Sequence, residues 1–363
     1  MQLKNLFIIW LFILLSCRNE EVRILGFSGG GPWYPHQVNG ETDEEKLENF
    51  TDLLREIGAE WFRMGIPIIA VREKIDPCEG PFSQLQNGEW ALVEKTVATF
   101  EKKGISLILA VGVGYTGGLP FISEDGCLKE MAGERIHPHI IGKDRYIEFT
   151  TAFARIMVRK FKNFVKIWQI ENELNVACET VAWGWREGNA WCEREFLDSL
   201  IESLYHAVKE EDPDAKTTHN FHTDLHFKED IKRWYEYLDI IGLDAYPNYL
   251  VGEPTYGREV GKRVGIAVRL FPEKPVIVLE TGYPTFPEER KFSEENQAKY
   301  IRDAIDSTFE NGGAGFLYFT FITSEKDERK GLQRVEPFWG VIRADGTKKE
   351  GYWALKEGFE KWK

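Results

Sequence analysis

The sequence predicts a single (β/α)8 TIM barrel with enlarged βα loops, and three observations lead to this fold class. Eight short, β-rich apolar runs alternate with amphipathic helical stretches along the 363 residues. Once a leader of 17 residues is set aside, each strand–helix unit takes about 43 residues, which is typical of such a barrel. The turn Gly29-Gly30-Gly31-Pro32 after the first run lacks the GxGxxG pattern of a doubly wound open sheet.

The eight expected strands are apolar along most of their length, as strands covered by an outer layer of helices must be. Glycine, proline or charged residues bound each of them. In chain order they are VRILGFS (22–28), AEWFRMGI (59–66), GISLILAVG (104–112), VKIWQIENE (165–173), AKTTHNFH (215–222), LDIIGLDAYP (238–247), PVIVLETGYP (275–284) and GAGFLYFTFI (313–322).

Helix starts and apolar stripes predict the helices between these strands. Thr42 and the glutamate three residues later form a capping box for a helix over 43–57. A helix over 144–163 carries apolar residues at three- and four-residue steps. Ser293, followed by two glutamates at the positive end of the helix dipole, begins another helix. A last helix is expected over 350–362.

Composition excludes some functions and points to a ligand site. The 46 basic and 59 acidic side chains give a net charge of −13, and the basic residues are scattered among acidic ones. Because a nucleic-acid-binding surface needs a concentrated basic stripe, we expect no nucleic-acid partner. The 12 Trp, 13 Tyr and 24 Phe exceed what a core requires, so some of these rings are expected around a ligand.

Residues 1–17 are predicted to be a targeting segment and residues 18–363 the barrel domain. An apolar run over 6–15 is too short to span a bilayer as a helix but suits a signal peptide. The run ends in LLSC, which resembles a bacterial lipobox with lipid added to Cys17. We therefore expect an exported monomer, anchored to a membrane only through this lipid. A plain secretory signal or an uncleaved anchor is the alternative.

The other four cysteines, Cys78, Cys127, Cys178 and Cys192, could form two disulfides in an oxidising compartment. Cys178 and Cys192 flank the Trp-rich stretch AWGWREGNAW and could fix that loop, although spacing alone does not decide the pairing. Four buried thiols are the alternative. No CxxC spacing is present, so we expect no metal site at these residues.

Polar side chains recur at the ends of five of the expected strands. A charged group in an otherwise apolar strand raises the free energy of the folded state unless it is paired or takes part in binding or catalysis. The chemistry of a (β/α)8 barrel takes place at the carboxyl ends of its strands, so these residues predict a polar site there. They are Arg63 on strand two, Glu171, Asn172 and Glu173 on strand four, His219, Asn220 and His222 on strand five, Asp244 and Tyr246 on strand six, and Glu280 and Tyr283 on strand seven.

Glu173 and Glu280 are the candidate catalytic pair. Strands four and seven lie on opposite sides of a barrel, so both carboxyl groups can face one cleft. Two carboxyl groups on either side of a scissile bond are the apparatus of glycoside hydrolysis, one as general acid and the other as nucleophile. Each glutamate taken alone could instead be a salt-bridge partner.

Two segments resemble the retaining glycoside hydrolases of clan A. WQIENELN (168–175) is similar to the Asn-Glu motif of that clan, and VIVLETGYPT (276–285) is similar to its strand-seven nucleophile segment. The resemblance extends over about residues 22–362 in motif order and spacing. It implies a (β/α)8 fold, Glu173 as acid/base and Glu280 as nucleophile.

The same resemblance implies three substrate-binding or positioning residues. Asn172 would bind the sugar 2-hydroxyl, and Tyr246 and Arg63 match the clan's strand-six tyrosine and strand-two arginine. Within the clan, IIGLDAYPNY and LETGYP are most similar to endo-β-1,4-galactanases of family 53, and more loosely to plant-type β-1,3-glucanases. The first strand, GFSGGGPWYP, and Glu171 depart from the galactanase pattern.

Aromatic residues in the loops at the catalytic face are candidates for sugar stacking. Trp33 follows strand one, Trp183, Trp185 and Trp191 follow strand four, and Trp339 follows strand eight. Flat indole rings can stack on the C–H faces of pyranose rings. The alternative is packing within the protein, since tryptophan is usually largely buried.

Histidines give a weaker signal. His219 is expected to contact a sugar hydroxyl or, alternatively, to be a hydrogen-bond partner behind the site. We expect His219 and His222 on one side of strand five and Asn220 on the other. His137 and His139 flank a proline in a loop and cannot supply a three-ligand metal site alone, so we expect no metal.

The sequence therefore predicts a retaining β-glycoside hydrolase that cleaves a β-linked polysaccharide or oligosaccharide. It is expected to be an endo-β-glycanase of galactanase, mannanase or glucanase type, with no cofactor. The alternative is a non-catalytic carbohydrate-binding lipoprotein on the same scaffold, because a fold does not imply a function. A barrel aldolase or metallohydrolase is disfavoured because the strands have no lysine at their ends and strand one has no His-x-His pair.

Overall fold

The computed structural model describes residues 23–29, 40, 42–65, 91–112, 121–122, 128–129, 138–182, 184, 186–223, 226–249, 251–323 and 331–363. The predicted leader with Cys17 lies outside the described residues. So do Trp33, Cys78, Cys127, His137, Trp183 and Trp185.

Eight parallel strands close into a barrel, which confirms the predicted fold class. They are β1 (Ile24–Ser28), β2 (Trp61–Gly65), β3 (Ser106–Ala110), β4 (Ile167–Gln169), β5 (Lys216–His222), β6 (Ile240–Asp244), β7 (Val276–Glu280) and β8 (Gly315–Phe319). Each pairs with its neighbours in chain order, and β1 pairs with β8. Phe121–Ile122 and Leu128–Lys129 form a small antiparallel pair outside the barrel.

Helices follow the strands and cover the barrel. The longer ones are α1 (Asp43–Ile57), α2 (Ala91–Lys102), α3 (Lys143–Phe161), α4 (Arg194–Glu211), α5 (Phe227–Trp234), α6 (Gly257–Leu270), α7 (Glu294–Glu310) and α8 (Glu350–Trp362). Short helical segments lie at Pro138–Ile141, Leu174–Val176, Ala177–Ala182, Asn189–Cys192, Tyr235–Tyr237, Pro254–Tyr256, Glu288–Arg290 and Gly331–Phe338. The predicted capping box at Thr42 and the Ser293 cap are both present.

The strands' inward-facing side chains change from apolar to polar along the barrel. One cluster, separate from the core between the sheet and the helices, consists of Ile24, Ile108, Ile167, Ile240, Ile277, Leu279 and Leu317. Side chains on a strand alternate between its two faces, so residues two or four positions further along face the same interior. Counted from Ile24, Ile167 and Ile240, these positions hold Ser28, Gln169 and Asp244. Arg63 lies two positions after Trp61, which packs against the cluster, and Asn220 hydrogen-bonds to Gln169 and Asp244. All five polar side chains are buried. The barrel interior is therefore apolar at one end and polar at the other, and the polar end is at the carboxyl ends of the strands.

The loop after β4 is cross-linked. Cys178 and Cys192 form a disulfide, which confirms the suggested pairing. The bond joins the short helix Ala177–Ala182, within this loop, to the segment Asn189–Cys192 that precedes α4. Among the helices of the described residues, none is long and apolar enough to cross a membrane.

Candidate active site

The segment after β4 presents Glu173 in an unusual backbone conformation. Glu171 (φ 59°) and Glu173 (φ 46°) both lie in the left-handed region, which disfavours residues with a Cβ and costs about 1–3 kcal/mol each. The Glu173 N–H donates to Oδ1 of Asn220 at 3.1 Å. The Leu174 N–H donates to Nε2 of His219 at 3.2 Å. Side chains of β5 therefore hold this segment in place.

Glu280, at the end of β7, accepts hydrogen bonds on both carboxylate oxygens. Oε1 forms an ion pair with Arg63 and accepts from the Ser28 hydroxyl at 3.4 Å. Oε2 accepts from the Tyr246 hydroxyl at 2.7 Å. Burial raises the pKa of Tyr246 well above its usual value, and the negative charge of Glu280 raises it further. The phenol therefore stays protonated and continues to donate. Both oxygens of Glu280 are therefore held by donors from three other strands or loops of the barrel.

Arg63 joins the two candidate catalytic glutamates through its neighbours. Its Nε donates to Oε1 of Gln169 at 2.6 Å, its Nη1 to Glu280 and its Nη2 to Oδ1 of Asn172. Burial opposes the charge of the guanidinium, but the negative charge of Glu280 raises the pKa of Arg63 overall. A planar, permanently charged fork can bridge partners in this way, whereas a lysine ammonium cannot.

Asn220 connects the buried polar side chains at the carboxyl end of the barrel. The prediction that it faces away from both His219 and His222 is wrong. Its Oδ1 accepts from Nε2 of Gln169 at 2.8 Å, in addition to the Glu173 N–H. Its Nδ2 donates to Oδ1 of Asn172 at 2.8 Å and to Oδ2 of Asp244. Alternation along a strand puts residues 220 and 222 on one face and 219 on the other, so the expected pairing of the two histidines was wrong.

Glu173 has a different environment from Glu280. Its carboxyl group is buried, and this burial raises the pKa of Glu173 above its usual value. The negative charge of Glu280 acts in the same direction, while the nearby His222 and Arg186 oppose it. Two carboxyl groups with contrasting surroundings are what acid and nucleophile roles require.

His219 does not face the cleft, and the predicted sugar contact is wrong. The side chain is fully buried, with its ring 5.4 Å from that of Trp234 on α5. Nδ1 donates to the carbonyl of Ile170 at 2.7 Å, and Nε2 accepts from the Leu174 N–H. Burial lowers the pKa of His219 to about 3, so the ring is neutral. The alternative, a hydrogen-bond partner behind the site, is confirmed.

The described candidate stacking tryptophans are buried as well. Trp339 is 1% exposed, and its ring lies 5.4 Å from Tyr246 and 6.3 Å from Phe319. Trp191 is fully buried, 5.5 Å from the ring of Tyr146. Neither has an open face for a sugar, so the packing alternative is correct for both. Tryptophan in a loop that follows a strand does not by itself indicate exposure.

Partly exposed rings near Glu280 come from positions that the sequence analysis did not single out for stacking. Phe319, the last residue of β8, lies 6.3 Å from Tyr246 between ring centroids, and the His222 ring lies at the same distance from Tyr246. Alternation along β8, where Leu317 faces the interior, could have identified Phe319. In the described part of the chain, no group of three or more His, Cys, Asp or Glu side chains could hold a metal ion.

The sequence matches no protein-family model and no curated protein. Solved structures with the same fold include β-glucuronidase 2 of Bacteroides uniformis, with 19% identity and a TM-score of 0.60 over 93% of this chain and 35% of that one. A GH2 β-galacturonidase from Eisenbergiella tayi, bound to galacturonate, has 15% identity and a TM-score of 0.62 over 94% of this chain and 51% of that one. A GH5_18 protein from Streptomyces cattleya, in complex with Manβ1-4GlcNAc, has 13% identity and a TM-score of 0.68 over 94% of this chain and 81% of that one.

These similarities establish the fold. The chain spans about a third to a half of the length of the first structures it resembles. The ligands and activities named for these structures belong to those proteins, and the similarity in fold does not assign them to this chain.

Proposed function

We propose that this chain is a retaining β-glycoside hydrolase of clan A, with Glu173 as acid/base and Glu280 as nucleophile. The observation that carries the proposal is the contrast between the two carboxyl groups. Glu280 accepts from Arg63 and Tyr246 on its two oxygens, whereas burial favours the protonated form of Glu173. The glycosidase names of similarly folded proteins support the same reading.

The reaction follows from these environments as a double displacement. Glu173 gives its proton to the glycosidic oxygen while a carboxylate oxygen of Glu280 bonds to the anomeric carbon. The bond between that carbon and the glycosidic oxygen breaks, and the protonated leaving group departs as an alcohol. Water then loses a proton to Glu173, and its oxygen displaces Glu280 from the same carbon. Arg63 and Tyr246 stabilise the charge that returns to Glu280 when the intermediate breaks down. The configuration at the anomeric carbon is retained.

For the substrate we propose a β-linked oligosaccharide or polysaccharide of galactan, mannan or glucan type, cleaved within the chain. Asn172 is positioned beside Arg63 and Asn220 to donate from its amide to a sugar hydroxyl. Phe319 is a partly exposed ring beside Tyr246, whose hydroxyl donates to Glu280, and a sugar could stack on it.

Site-directed variants test the assignment of roles. A panel of aryl β-glycosides, including glucuronides, galacturonides and mannosides, together with β-glycans identifies a substrate. We expect Glu280→Ala to lower kcat by about 10⁴-fold or more, with azide restoring turnover as an α-glycosyl azide. Azide should rescue Glu173→Ala as a β-glycosyl azide, on substrates with good leaving groups. Glu357→Gln, in an exposed ion pair with Arg302, is the matched control.

Two outcomes would overturn the proposal. Unchanged turnover in Glu280→Ala would remove the nucleophile assignment. Oligosaccharide binding by the wild-type protein without turnover of any substrate would favour the carbohydrate-binding alternative.

We also propose that the protein is exported and lipid-anchored through Cys17. The Cys178–Cys192 disulfide supports export, because disulfides persist mainly in oxidising compartments. Cys17→Ser should move the protein from the membrane fraction to the soluble fraction of the expressing cells. Retention of this variant in the membrane fraction would contradict lipid anchoring at Cys17.

A further inference from the structure

A third carboxyl group, Asp244, lies beside the two glutamates, and the double displacement does not use it. It is the last residue of β6 and is fully buried. Its Oδ2 accepts a hydrogen bond from the Asn220 amide. Its Oδ1, equally buried, has no hydrogen-bond donor among the described residues. Burial raises the pKa of Glu173, and a hydrogen-bond interaction with the Asp244 side chain acts against this rise.

Two carboxyl groups form a hydrogen bond only if one of them carries a proton, since a carboxylate has acceptors alone. A buried acceptor without a donor is costly, and a buried unpaired charge is costlier still. A proton on Oδ1 of Asp244 removes both costs, because the oxygen becomes a donor and the charge disappears.

The charges around this pair favour that proton on Asp244. The ionisable groups that face the pair are Glu280 on β7, Arg63 on β2, His222 on β5, Arg186 in the loop after β4 and Tyr246 after β6. Arg63, whose positive charge acts against a proton on Asp244, is ion-paired with Glu280. Burial raises the pKa of Asp244 well above its usual value, and the charges of Glu280 and Glu173 raise it further.

Building on the function proposed above, we propose that Asp244 is a protonated positioning residue that donates a hydrogen bond from Oδ1 to Glu173. One oxygen of Glu173 is then occupied by Asp244, and the other faces the glycosidic oxygen. The same bond stabilises the Glu173 carboxylate that is left when the acid has given up its proton.

The proton balance of the reaction is unchanged by this role. In the first step the proton of Glu173 moves to the leaving oxygen as the glycosidic bond breaks and the bond to Glu280 forms. Asp244 keeps its own proton, and its hydrogen bond to Glu173 strengthens because the acceptor becomes charged. In the second step Glu173 regains a proton from water, and Asp244 again keeps its own.

The substitution Asp244→Asn distinguishes a neutral Asp244 from an ionised one, because the two protonation states predict different shifts of the pH profile of kcat/KM. The alkaline limb of the kcat/KM profile reports loss of the Glu173 proton. Asparagine has the same shape and is always neutral, with an amide donor in place of the acid, so we expect this limb to stay or to move to higher pH. If Asp244 were ionised, the same substitution would remove a negative charge and move the limb to lower pH, which would overturn the proposal.

Asp244→Ala removes the donor altogether. We expect the alkaline limb to move to higher pH and kcat to fall about tenfold or more on substrates whose leaving group needs a proton. Substrates with highly activated aryl leaving groups should be affected less in the first step. Asp306→Asn, in an exposed ion pair with Lys361, controls for the loss of a carboxylate. Equal effects on both substrate classes would indicate a structural role only.

Infrared spectroscopy tests the protonation without any substrate. The difference spectrum between wild-type protein and Asp244→Asn at neutral pH should contain the C=O stretch of one protonated carboxyl group. Only a carboxylate band in that spectrum would overturn the proposal. A protonated band in a protein that cleaves no glycoside would instead refute the proposed function and leave the protonation of Asp244 standing. Far-ultraviolet circular dichroism confirms that each variant is folded.

Discussion

Replacement of His219 by glutamine should remove a large part of the acid sensitivity of this fold. The imidazole is fully buried between the segment after β4 and helix α5, and both ring nitrogens are hydrogen-bonded. Glutamine keeps a donor and an acceptor in this space but does not titrate.

The size of the effect follows from the pKa values. Burial lowers the pKa of His219 from 6.5 to about 3 in the folded protein. As the pH falls below 6.5 the unfolded chain takes up a proton that the folded protein refuses, so the free energy of unfolding decreases. This loss begins near pH 6.5 and is complete near pH 3. At pH 5 it amounts to about 1.5 pH units, or about 2 kcal/mol.

Urea unfolding at pH 8 and pH 5 measures this quantity. The wild-type protein and His219→Gln share every other titrating group, so the difference between their pH dependences isolates His219. We expect the variant to be less stable at pH 8, because a buried hydrogen-bond network is altered. Between pH 8 and pH 5 it should lose about 2 kcal/mol less than the wild type does.

The control is His206→Gln on helix α4, a histidine whose side chain is 55% exposed and which therefore breaks no buried contact when replaced. Equal pH dependence of stability in the wild type and His219→Gln would refute the reasoning. It would mean that the folded protein accepts the proton on His219 at pH 5.

Three further results are expected. A lysine at position 63 cannot reproduce the several hydrogen bonds that the Arg63 guanidinium donates to Glu280 and its neighbours. Steady-state kinetics of Arg63→Lys should therefore show kcat reduced by about 10²-fold or more, with little change in melting temperature. Wild-type turnover by this variant would contradict the expectation. Cys178→Ser removes a disulfide that closes a 14-residue separation, so urea unfolding should show a loss of about 3 kcal/mol, and a reductant should destabilise only the wild type. Gly112→Ala would place a Cβ 2.4 Å from the Cα of Glu171 and so displace the segment that carries Glu173. Kinetic assays should show a large fall in kcat, while calorimetry shows a smaller effect on the melting temperature. Unchanged kcat would mean that this contact does not help to position Glu173.

Much of the fold could be predicted because its signals are local. The eight apolar runs, the capping box at Thr42 and the Ser293 cap each depend on residues within a few positions of one another. Strand ends were the weaker part. The expected fourth strand ran to Glu173, whereas β4 ends at Gln169. The Ile170 N–H still donates to the Thr218 carbonyl of β5. Further along, the N–H groups of Glu173 and Leu174 donate to side chains of β5 instead, which sequence spacing does not reveal.

Candidate site residues could be identified from the sequence where the residue type alone is unusual at its position. They were assigned wrongly where exposure of the side chain depends on packing. A glutamate at the end of an apolar strand is conspicuous, so Glu173 and Glu280 stood out. Burial of Trp339 and Trp191 depends on rings that come from distant parts of the chain, such as Tyr246 and Tyr146. No pattern within the loops themselves distinguishes a packed indole from an exposed one.

The two candidate catalytic glutamates depend on different parts of the barrel. The position of Glu280 is set by Arg63 on β2 and by Tyr246 after β6, which bind its carboxylate directly. The position of Glu173 is set through its backbone, by Asn220 and His219 on β5, which hold a left-handed conformation that the residue would not adopt alone. Asn220 uses all four of its hydrogen-bonding positions, so a change there must leave a buried partner unsatisfied. The acid/base is therefore positioned by a neighbouring strand, and the sequence of its own loop specifies only which side chain is presented.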